Sequence, residues 1–223
     1  MENSRRAASR WLEVSPERIE TWLDSFGRRH GGEAVRLQAG PEVVIARAAD
    51  GCAAECHVPF PPLPEGRGGT AAGLAAHASQ ERTVAVLLVR LGGYAAGVFA
   101  GPEPRLIASK VGSRLVHGRS AAGGQSQQRF ARRREKQARE ALAAAADTAV
   151  AVFGPVRDRI EVLVLGGDKR SVAALAGDPR LAPYLALATD RFLTVPDPRQ
   201  AVLAGTPRLF RAIRIRLTDC GAG

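Results

Sequence analysis

Apolar and polar positions in the middle of the chain predict a β-meander. Residues 83–91 form a continuous apolar run, two glycines follow at 92 and 93, and a second apolar run extends from 94 to 100. A two-glycine link between two such runs is typical of a β-hairpin. A third strand is predicted at about 105–111, so the meander leads directly into a basic segment.

A long helix is predicted over residues 127–153, which are rich in Ala, Arg, Gln, Glu and Lys. Gly154 and Pro155 end it. Its apolar stripe is confined to the C-terminal half, where the small side chains permit close packing on a sheet: Ala138, Ala141, Leu142, Ala145, Ala149 and Val152. The N-terminal half lacks such a stripe apart from Phe130, which predicts that it projects towards solvent or RNA.

The other elements complete an α/β (α+β) pattern. Strands are predicted at 34–37 and 42–48, around a turn at 39–41, and at 160–165, 193–195 and 212–217, with a short helix ending near 176. The last strand alternates arginines with Ile and Leu, which indicates one basic and one apolar face. This order predicts a mixed β-sheet with flanking helices over residues 31–219. Helices predicted at 5–12 and 15–26 would form a helical N-terminal extension over residues 1–30.

Composition restricts the class of protein. No apolar run reaches the roughly 20 residues that span a bilayer, and the first residues lack the hydrophobic region of a signal peptide. We therefore expect a soluble, cytoplasmic protein without a membrane partner. Three cysteines are an odd number and do not make a disulfide framework. A zinc site would need a second pair of Cys or His ligands downstream, and the sequence offers none to match Cys52, Cys56 and His57. Free thiols, no metal and no cofactor are expected.

The positive charge is concentrated in one segment. The net charge is +10, and between Arg114 and Glu140 eight Lys or Arg residues face two acids. Such a concentration indicates a polyanionic partner, with nucleic acid favoured over a membrane surface. A solvated helix face is the alternative interpretation of the same charges.

The segment Gly123-Gly124-Gln125-Ser126-Gln127-Gln128 places a diglycine and three amides at the front of the basic helix. Glycine adopts backbone conformations that other residues avoid, so the amides can enter a narrow cleft. The arginines behind them can bind phosphate without competing for a reacting centre. These residues predict a neutral polar group delivered into RNA.

Residues 117–132 resemble the central catalytic domain of the class 1 release factors of eukaryotes and archaea. His117-Gly118-Arg119 precedes Gly123-Gly124-Gln125 as HGR precedes GGQ in those factors, and Ser126, Arg129, Phe130, Ala131 and Arg132 follow in register. The whole chain is more similar to Vms-like release factors of the compact actinobacterial type. The resemblance implies a ribonuclease H-like sheet over about residues 31–219, with a flexible loop at about 117–128.

The resemblance also implies an activity, which is hydrolysis of peptidyl-tRNA on stalled ribosomes without codon reading. The catalytic candidates are then Gln125, Gln127 and Gln128 with Gly123 and Gly124, and Gln125 ranks first because its neighbours align without a gap. The RNA-binding candidates are Arg114, His117, Arg119, Arg129, Arg132, Arg133, Arg134 and Lys136. The expected partners are peptidyl-tRNA and the peptidyl-transferase centre of the large ribosomal subunit, and the protein is expected to be monomeric. Cleavage of the tRNA near its 3′ end and ribosome binding without catalysis remain alternatives.

Overall fold

The described residues of the computed structural model are 9–90, 92–113 and 126–218, and they fall into two compact units. Unit 1 contains the residues up to Gln80 and those from Arg211 onward, and unit 2 contains Glu81–Phe210. This division differs from the boundary expected at residue 30. The first residues of the described chain belong to a sheet of unit 1 and are not an appended extension.

Unit 1 contains a five-stranded antiparallel sheet. Its strands are β1 (Ser9–Val14), β2 (Arg36–Ala39), β3 (Val43–Arg47), β4 (Ala53–His57) and, from the far end of the chain, β10 (Ile213–Thr218). They lie in the order β1-β10-β4-β3-β2. The hairpin predicted around residues 39–41 is confirmed as β2 and β3.

One face of this sheet is covered by two helices, α1 (Ile19–Arg29) and α2 (Ala71–Ser79). Leu23 and Phe26 of α1 and Leu74 of α2 pack against the inward residues of the strands, among them Val44 and Ile215. A short 3-10 helix (Pro16–Arg18) precedes α1. The helix predicted at 15–26 is therefore confirmed over its greater part.

The helix predicted at 5–12 is wrong for residues 9–12, which lie in β1. Leu12 and Val14 point into the core while Trp11 and Glu13 point outward, a period of two that fits a strand. The partner strand β10 lies about two hundred residues away in sequence, so the residues near β1 contain no pattern from which the pairing could be predicted.

Unit 2 contains a five-stranded mixed sheet, and its presence confirms the predicted fold class. Its strands are β5 (Val84–Arg90), β6 (Gly93–Ala100), β7 (Arg105–Ser113), β8 (Val162–Gly167) and β9 (Ala188–Leu193). The order is β7-β6-β5-β8-β9, with the meander antiparallel and β5, β8 and β9 parallel. The single mixed sheet predicted over residues 31–219 is divided between the two units, because β2, β3 and β10 belong to the sheet of unit 1.

Five helices accompany this sheet: α3 (Ser126–Phe153), α4 (Lys169–Leu175), α5 (Ala182–Leu185), α6 (Gln200–Ala204) and α7 (Thr206–Phe210). Short 3-10 helices at Gly154–Arg159 and Pro179–Leu181 connect them. The long helix predicted at 127–153 is confirmed to within one residue at its start. Among the described helices, none combines the length and the apolar character that a membrane span requires.

Candidate functional site

The candidate loop connects β7, which ends at Ser113, to α3, which begins at Ser126. Six predicted site residues lie in this connection, outside the described residues: Arg114, His117, Arg119, Gly123, Gly124 and Gln125. Four more have a described helical backbone in α3, while their side chains lie outside the description: Gln127, Gln128, Arg129 and Arg134. The described site therefore consists of the two elements that carry the loop, together with Arg132, Arg133 and Lys136.

The C-terminal half of α3 is anchored on the sheet of unit 2. Ala145 and Ala149 have no exposed surface, and they pack with Val98 of β6 in one buried cluster. Alanine leaves the helix backbone free to approach the strands closely, which explains the run of small residues in this half. Phe153 ends the helix fully buried, with its ring edge-on to Tyr184 at a centroid distance of 5.3 Å.

The N-terminal half of α3 extends beyond the anchored part. The first buried side chain described in the helix is Ala141, 15 residues after Ser126. At a rise of about 1.5 Å per residue, the helix begins roughly 22 Å along its axis from that point. Nearly all described side chains from 132 to 140 are exposed. The N-terminal half of α3 was predicted to project because it lacks an apolar stripe, and the exposure of its described side chains agrees with that prediction.

The projecting half carries its positive charge on the side away from the sheet. Arg132, Lys136 and Arg139 follow at helical spacings of four and three, so they share one face. Ala141 and Ala145 occupy the opposite side of the helix and pack towards the sheet. The helix therefore separates an anchoring side from a basic side along its length.

These cations are available to a ligand. Arg132, Arg133 and Arg139 have no carboxylate within ion-pair distance among the described residues. Lys136 Nζ lies 3.9 Å from Glu140 Oε1, but both side chains are largely exposed, and such surface pairs contribute little. Sequence reasoning counted Arg139 in the charge but did not place it in the site. Its spacing of seven from Arg132 is the signal that could have identified it.

A small cavity lies where α3 crosses the hairpin of β5 and β6. Its volume is about 70 Å³, and it is lined by Val89, Arg90, Gly92, Gly93, Tyr94, Ala138, Ala141, Leu142 and Ser171. Pockets that bind small molecules are several times larger, typically about 300–1,000 Å³. Arg90 does not point a free guanidinium into it, because its Nη1 donates to the carbonyl oxygen of Val195 at 2.9 Å. We interpret the cavity as a packing gap.

The cysteine and histidine pattern at 52–57 does not form a metal site. Successive residues of β4 point to opposite faces, which places Cys56 in the core and His57 outside it. Cys52 is disulfide-bonded, so the expectation of a free thiol is wrong there. Cys56 is a free thiol, and burial raises its pKa to about 12, which makes it unreactive.

One other group of potential metal ligands exists among the described residues, formed by His30, Asp50 and Cys52. His30 Nδ1 lies 2.9 Å from Asp50 Oδ2, and the backbone N–H of Cys52 donates to Asp50 Oδ1. Because the sulfur of Cys52 is in a disulfide, it cannot act as a thiolate ligand. The polar contacts are explained as a turn that Asp50 stabilises.

Asp168 has a structural role in unit 2. Its carboxylate accepts hydrogen bonds from the backbone N–H of Ser171 and from Ser171 Oγ, which makes it the N-cap of α4. The side-chain hydrogen bond from Ser171, followed by the backbone one, lowers the pKa of Asp168. A carboxylate held in this way is not a free base for a reaction.

Solved structures of translation factors show limited similarity to the chain. An archaeal translation termination factor, aRF1, has 11% sequence identity and a TM-score of 0.43, with 58% of this chain and 36% of that chain covered. Pelota of Archaeoglobus fulgidus has 10% identity and a TM-score of 0.28, with 91% and 62% covered. This chain thus spans about a third of the first and under two thirds of the second. At these TM-scores we infer neither fold nor function from either.

Comparison with families gives a specific result. No curated protein sequence matches the chain significantly. The model of the Actinobacteria/chloroflexi VLRF1 release factors matches residues 82–216, which is more than half of the chain and includes all strands of unit 2 and α3. The chain therefore belongs to the Actinobacteria/chloroflexi VLRF1 release factor family.

Proposed function

We propose that this protein is a ribosome-associated peptidyl-tRNA hydrolase that releases nascent peptides from stalled ribosomes without reading a codon. Membership of a release factor family carries the proposal. The supporting feature of this chain is the sequence HGR followed by GGQ, immediately ahead of a helix whose first half is basic and projecting. The protein would act in the cytoplasm as a monomer, at the peptidyl-transferase centre of the large subunit.

The reaction is hydrolysis of the ester between the peptide and the ribose at the tRNA 3′ end. Water attacks the ester carbonyl, the C–O bond to the ribose breaks, and the ribose oxygen takes up a proton. Such a reaction needs an oriented water and a donor for the developing oxyanion. The side-chain amide of Gln125 can orient the water, and its backbone N–H can donate to the oxyanion. Gly123 and Gly124 give the backbone the freedom to approach.

The start of α3 supports Gln125 over the other two glutamines. The helix begins at Ser126, so Gln127 and Gln128 are its second and third residues and have helical backbones. Gln125 follows the two glycines in the sequence, and glycine adopts backbone conformations that other residues avoid. We therefore assign the catalytic amide to Gln125.

The basic side of α3 would hold the loop in place. Arg132, Arg133 and Lys136 are exposed on the projecting half, and Arg139 shares the face of Arg132 and Lys136. Contacts of arginine and lysine with phosphate fix the position of a protein on RNA without taking part in chemistry. Arg114, His117, Arg119, Arg129 and Arg134 are proposed for the same task.

The test is to incubate purified ribosomes that carry peptidyl-tRNA with the protein and to identify both products by mass. Free peptide with intact tRNA supports ester hydrolysis. A shortened tRNA with an oligonucleotide left on the peptide would show tRNA cleavage instead. Binding to the ribosome without any product would show a non-catalytic module.

Single alanine variants assign the amide. Gln125→Ala is expected to slow release by about 100-fold or more, the usual effect of removing one preorganised transition-state contact. Gln127→Ala and Gln128→Ala should have smaller effects. Gln200→Ala is the matched control, because that exposed amide only donates a 3.3 Å hydrogen bond to Ser109 Oγ. Full activity of Gln125→Ala would refute the assignment.

A further inference from the structure

One face of the unit 1 sheet holds the core beneath α1 and α2, and the other face has an unusual composition. The strand registers place the following described side chains together on what we call the outer face: Trp11, Glu13, Arg36, Gln38, Val43, Ile45, Arg47, Glu55, His57, Arg214 and Arg216. Four of them are arginines, and one is a tryptophan.

Trp11 is held in place on this face although 43% of it is exposed. The guanidinium carbon of Arg214 lies 4.5 Å from the centroid of its ring, and the His57 ring lies 5.0 Å away, tilted by 49°. A cation–π contact of this kind fixes both side chains in one arrangement. The result is a preorganised, partly exposed aromatic surface next to a positive charge.

The His57 ring contributes as a neutral group. Burial lowers the pKa of His57, more than the neighbouring Glu55 raises it. At neutral pH the imidazole is therefore uncharged. The aromatic pair of Trp11 and His57 is therefore uncharged, and the positive charge beside it comes from arginine.

The arginines of the outer face are only partly neutralised. Arg216 forms a two-pronged pair with Glu55, with Nε and Nη2 donating at 2.9 and 2.8 Å. Arg214 has no carboxylate within ion-pair distance among the described residues.

At the other edge, Arg36 lies directly opposite Arg47 in the β2–β3 register. Neither arginine has an ion-pair partner among the described residues. Like charges directly opposite in a sheet are destabilising, so this pair reduces the stability of the isolated protein. An anion bound between the two arginines would remove that cost.

We propose that the outer face of unit 1 binds single-stranded RNA. A base stacks against the aromatic surface around Trp11, while Arg214, Arg36 and Arg47 contact phosphates. The strands from β1 to β2 span four inter-strand distances, about 19 Å, so the contacts follow an extended backbone across the sheet. Aromatic side chains combined with arginines on an open sheet are a general means of binding unpaired nucleotides.

Charge and composition favour RNA over a protein partner. Trp11 is the one large exposed apolar side chain described in unit 1, too little for the apolar centre of a protein interface. The unpaired arginines call for a polyanion. The site goes beyond the proposed hydrolysis, since it involves neither the loop nor α3.

The experiment uses the fluorescence of Trp11 in the full chain. The sequence has two tryptophans, so Trp22→Phe leaves Trp11 as the single tryptophan, which is excited at a wavelength where the two tyrosines hardly absorb. Titration with a 12-nucleotide oligouridylate should quench this fluorescence to saturation. Labelled oligonucleotide should then bind at least about fivefold more weakly to Trp11→Ala, the lower end of the effect of one stacked base. Trp11→Phe should retain most of the affinity.

Three controls locate the effect. Ile107→Ala removes another exposed apolar side chain, in unit 2, and should leave the affinity unchanged. A variant with Arg132, Arg133 and Arg139 changed to Ala should still show Trp11 quenching, which separates this face from the helix. Polyphosphate carries the charge of RNA without bases and should not quench.

Three results would overturn the proposal. They are absence of quenching by the oligonucleotide, equal quenching by polyphosphate, and unchanged affinity of Trp11→Ala. The peptide-release test fails or succeeds separately from these, because quenching is measured without ribosomes.

Discussion

The basic side of α3 leads to a quantitative prediction about salt. We consider the triple variant Arg132→Ala, Arg133→Ala and Arg139→Ala, which removes the three described arginines of the projecting half that lack a carboxylate partner. Lys136 is retained because its removal would also leave Glu140, 3.9 Å away, without this partner and so change two charges at once. If each arginine neutralises one phosphate, the slope of log K against log salt should become shallower by about 2 to 3.

This slope converts to a measurable change in affinity. Between 50 and 200 mM salt, the wild-type protein should lose about 20- to 40-fold more affinity than the variant, since each contact contributes about 0.7–0.9 to the slope. Fluorescence anisotropy with labelled tRNA at four or five salt concentrations gives both slopes. Solvent-exposed changes of this kind should alter the free energy of unfolding by less than about 0.5 kcal/mol each.

The matched control is Arg105→Ala. Arg105 is also exposed and without a described ion-pair partner, but it stands at the start of β7, eight residues from the end that leads into the candidate loop. Its removal should leave the slope unchanged. Parallel salt dependence of the wild type and the triple variant would refute the reasoning, and the charges would then form only a solvated helix face.

Two further predictions concern stability. Phe153→Ala should lower the free energy of unfolding by about 3–5 kcal/mol in urea titrations, because it empties a fully buried position at the anchored end of α3; a loss below about 1 kcal/mol would contradict that packing. Asp168→Ala should cost about 1 kcal/mol at pH 7 through loss of the α4 cap. Because the pKa of Asp168 is lowered in the folded state, the ionised cap stabilises the folded protein at pH values above the unfolded-state pKa. The difference in the free energy of unfolding between the wild type and Asp168→Ala should therefore shrink as the pH falls through the folded-state pKa. Asp168→Asn, which can still cap, should retain most of the stability, and a difference from Asp168→Ala that stays constant down to low pH would contradict the assignment.

Local patterns predicted unit 2 well. The hairpin of β5 and β6 follows from the two glycines between apolar runs, and α3 follows from its composition and from Gly154. The projecting half of α3 was predictable because an unpacked helix needs no apolar stripe. In unit 1, the alternation in β10 also predicted one basic and one apolar face, and Ile213 and Ile215 are fully buried.

Unit 1 was harder to predict because its sheet depends on distant pairs and small residues. β1 contributes only two apolar residues to the core, Leu12 and Val14, and its partner strand lies about two hundred residues away in sequence. β4 buries Ala54 and Cys56, which give a weak apolar signal. The start of α2 could have been predicted from Thr70, a residue type that favours the N-cap position, ahead of an alanine-rich stretch. In the structure, Thr70 Oγ1 accepts a hydrogen bond from the backbone N–H of Gly73.

The pairing of β1 with β10 also fixes an order of events during synthesis. The described strands of unit 2 all precede residue 211 in the sequence, so the growing chain contains every one of them before β10 emerges. In the described sheet, β1 has β10 as its hydrogen-bonding neighbour, and β10 in turn separates it from β4. Until Ile213–Thr218 has left the ribosome, the segment that carries Trp11 has no strand to pair with, and the outer face lacks Arg214 and Arg216. A member of a release factor family therefore acquires this surface only after the described strands of unit 2 have all been synthesised.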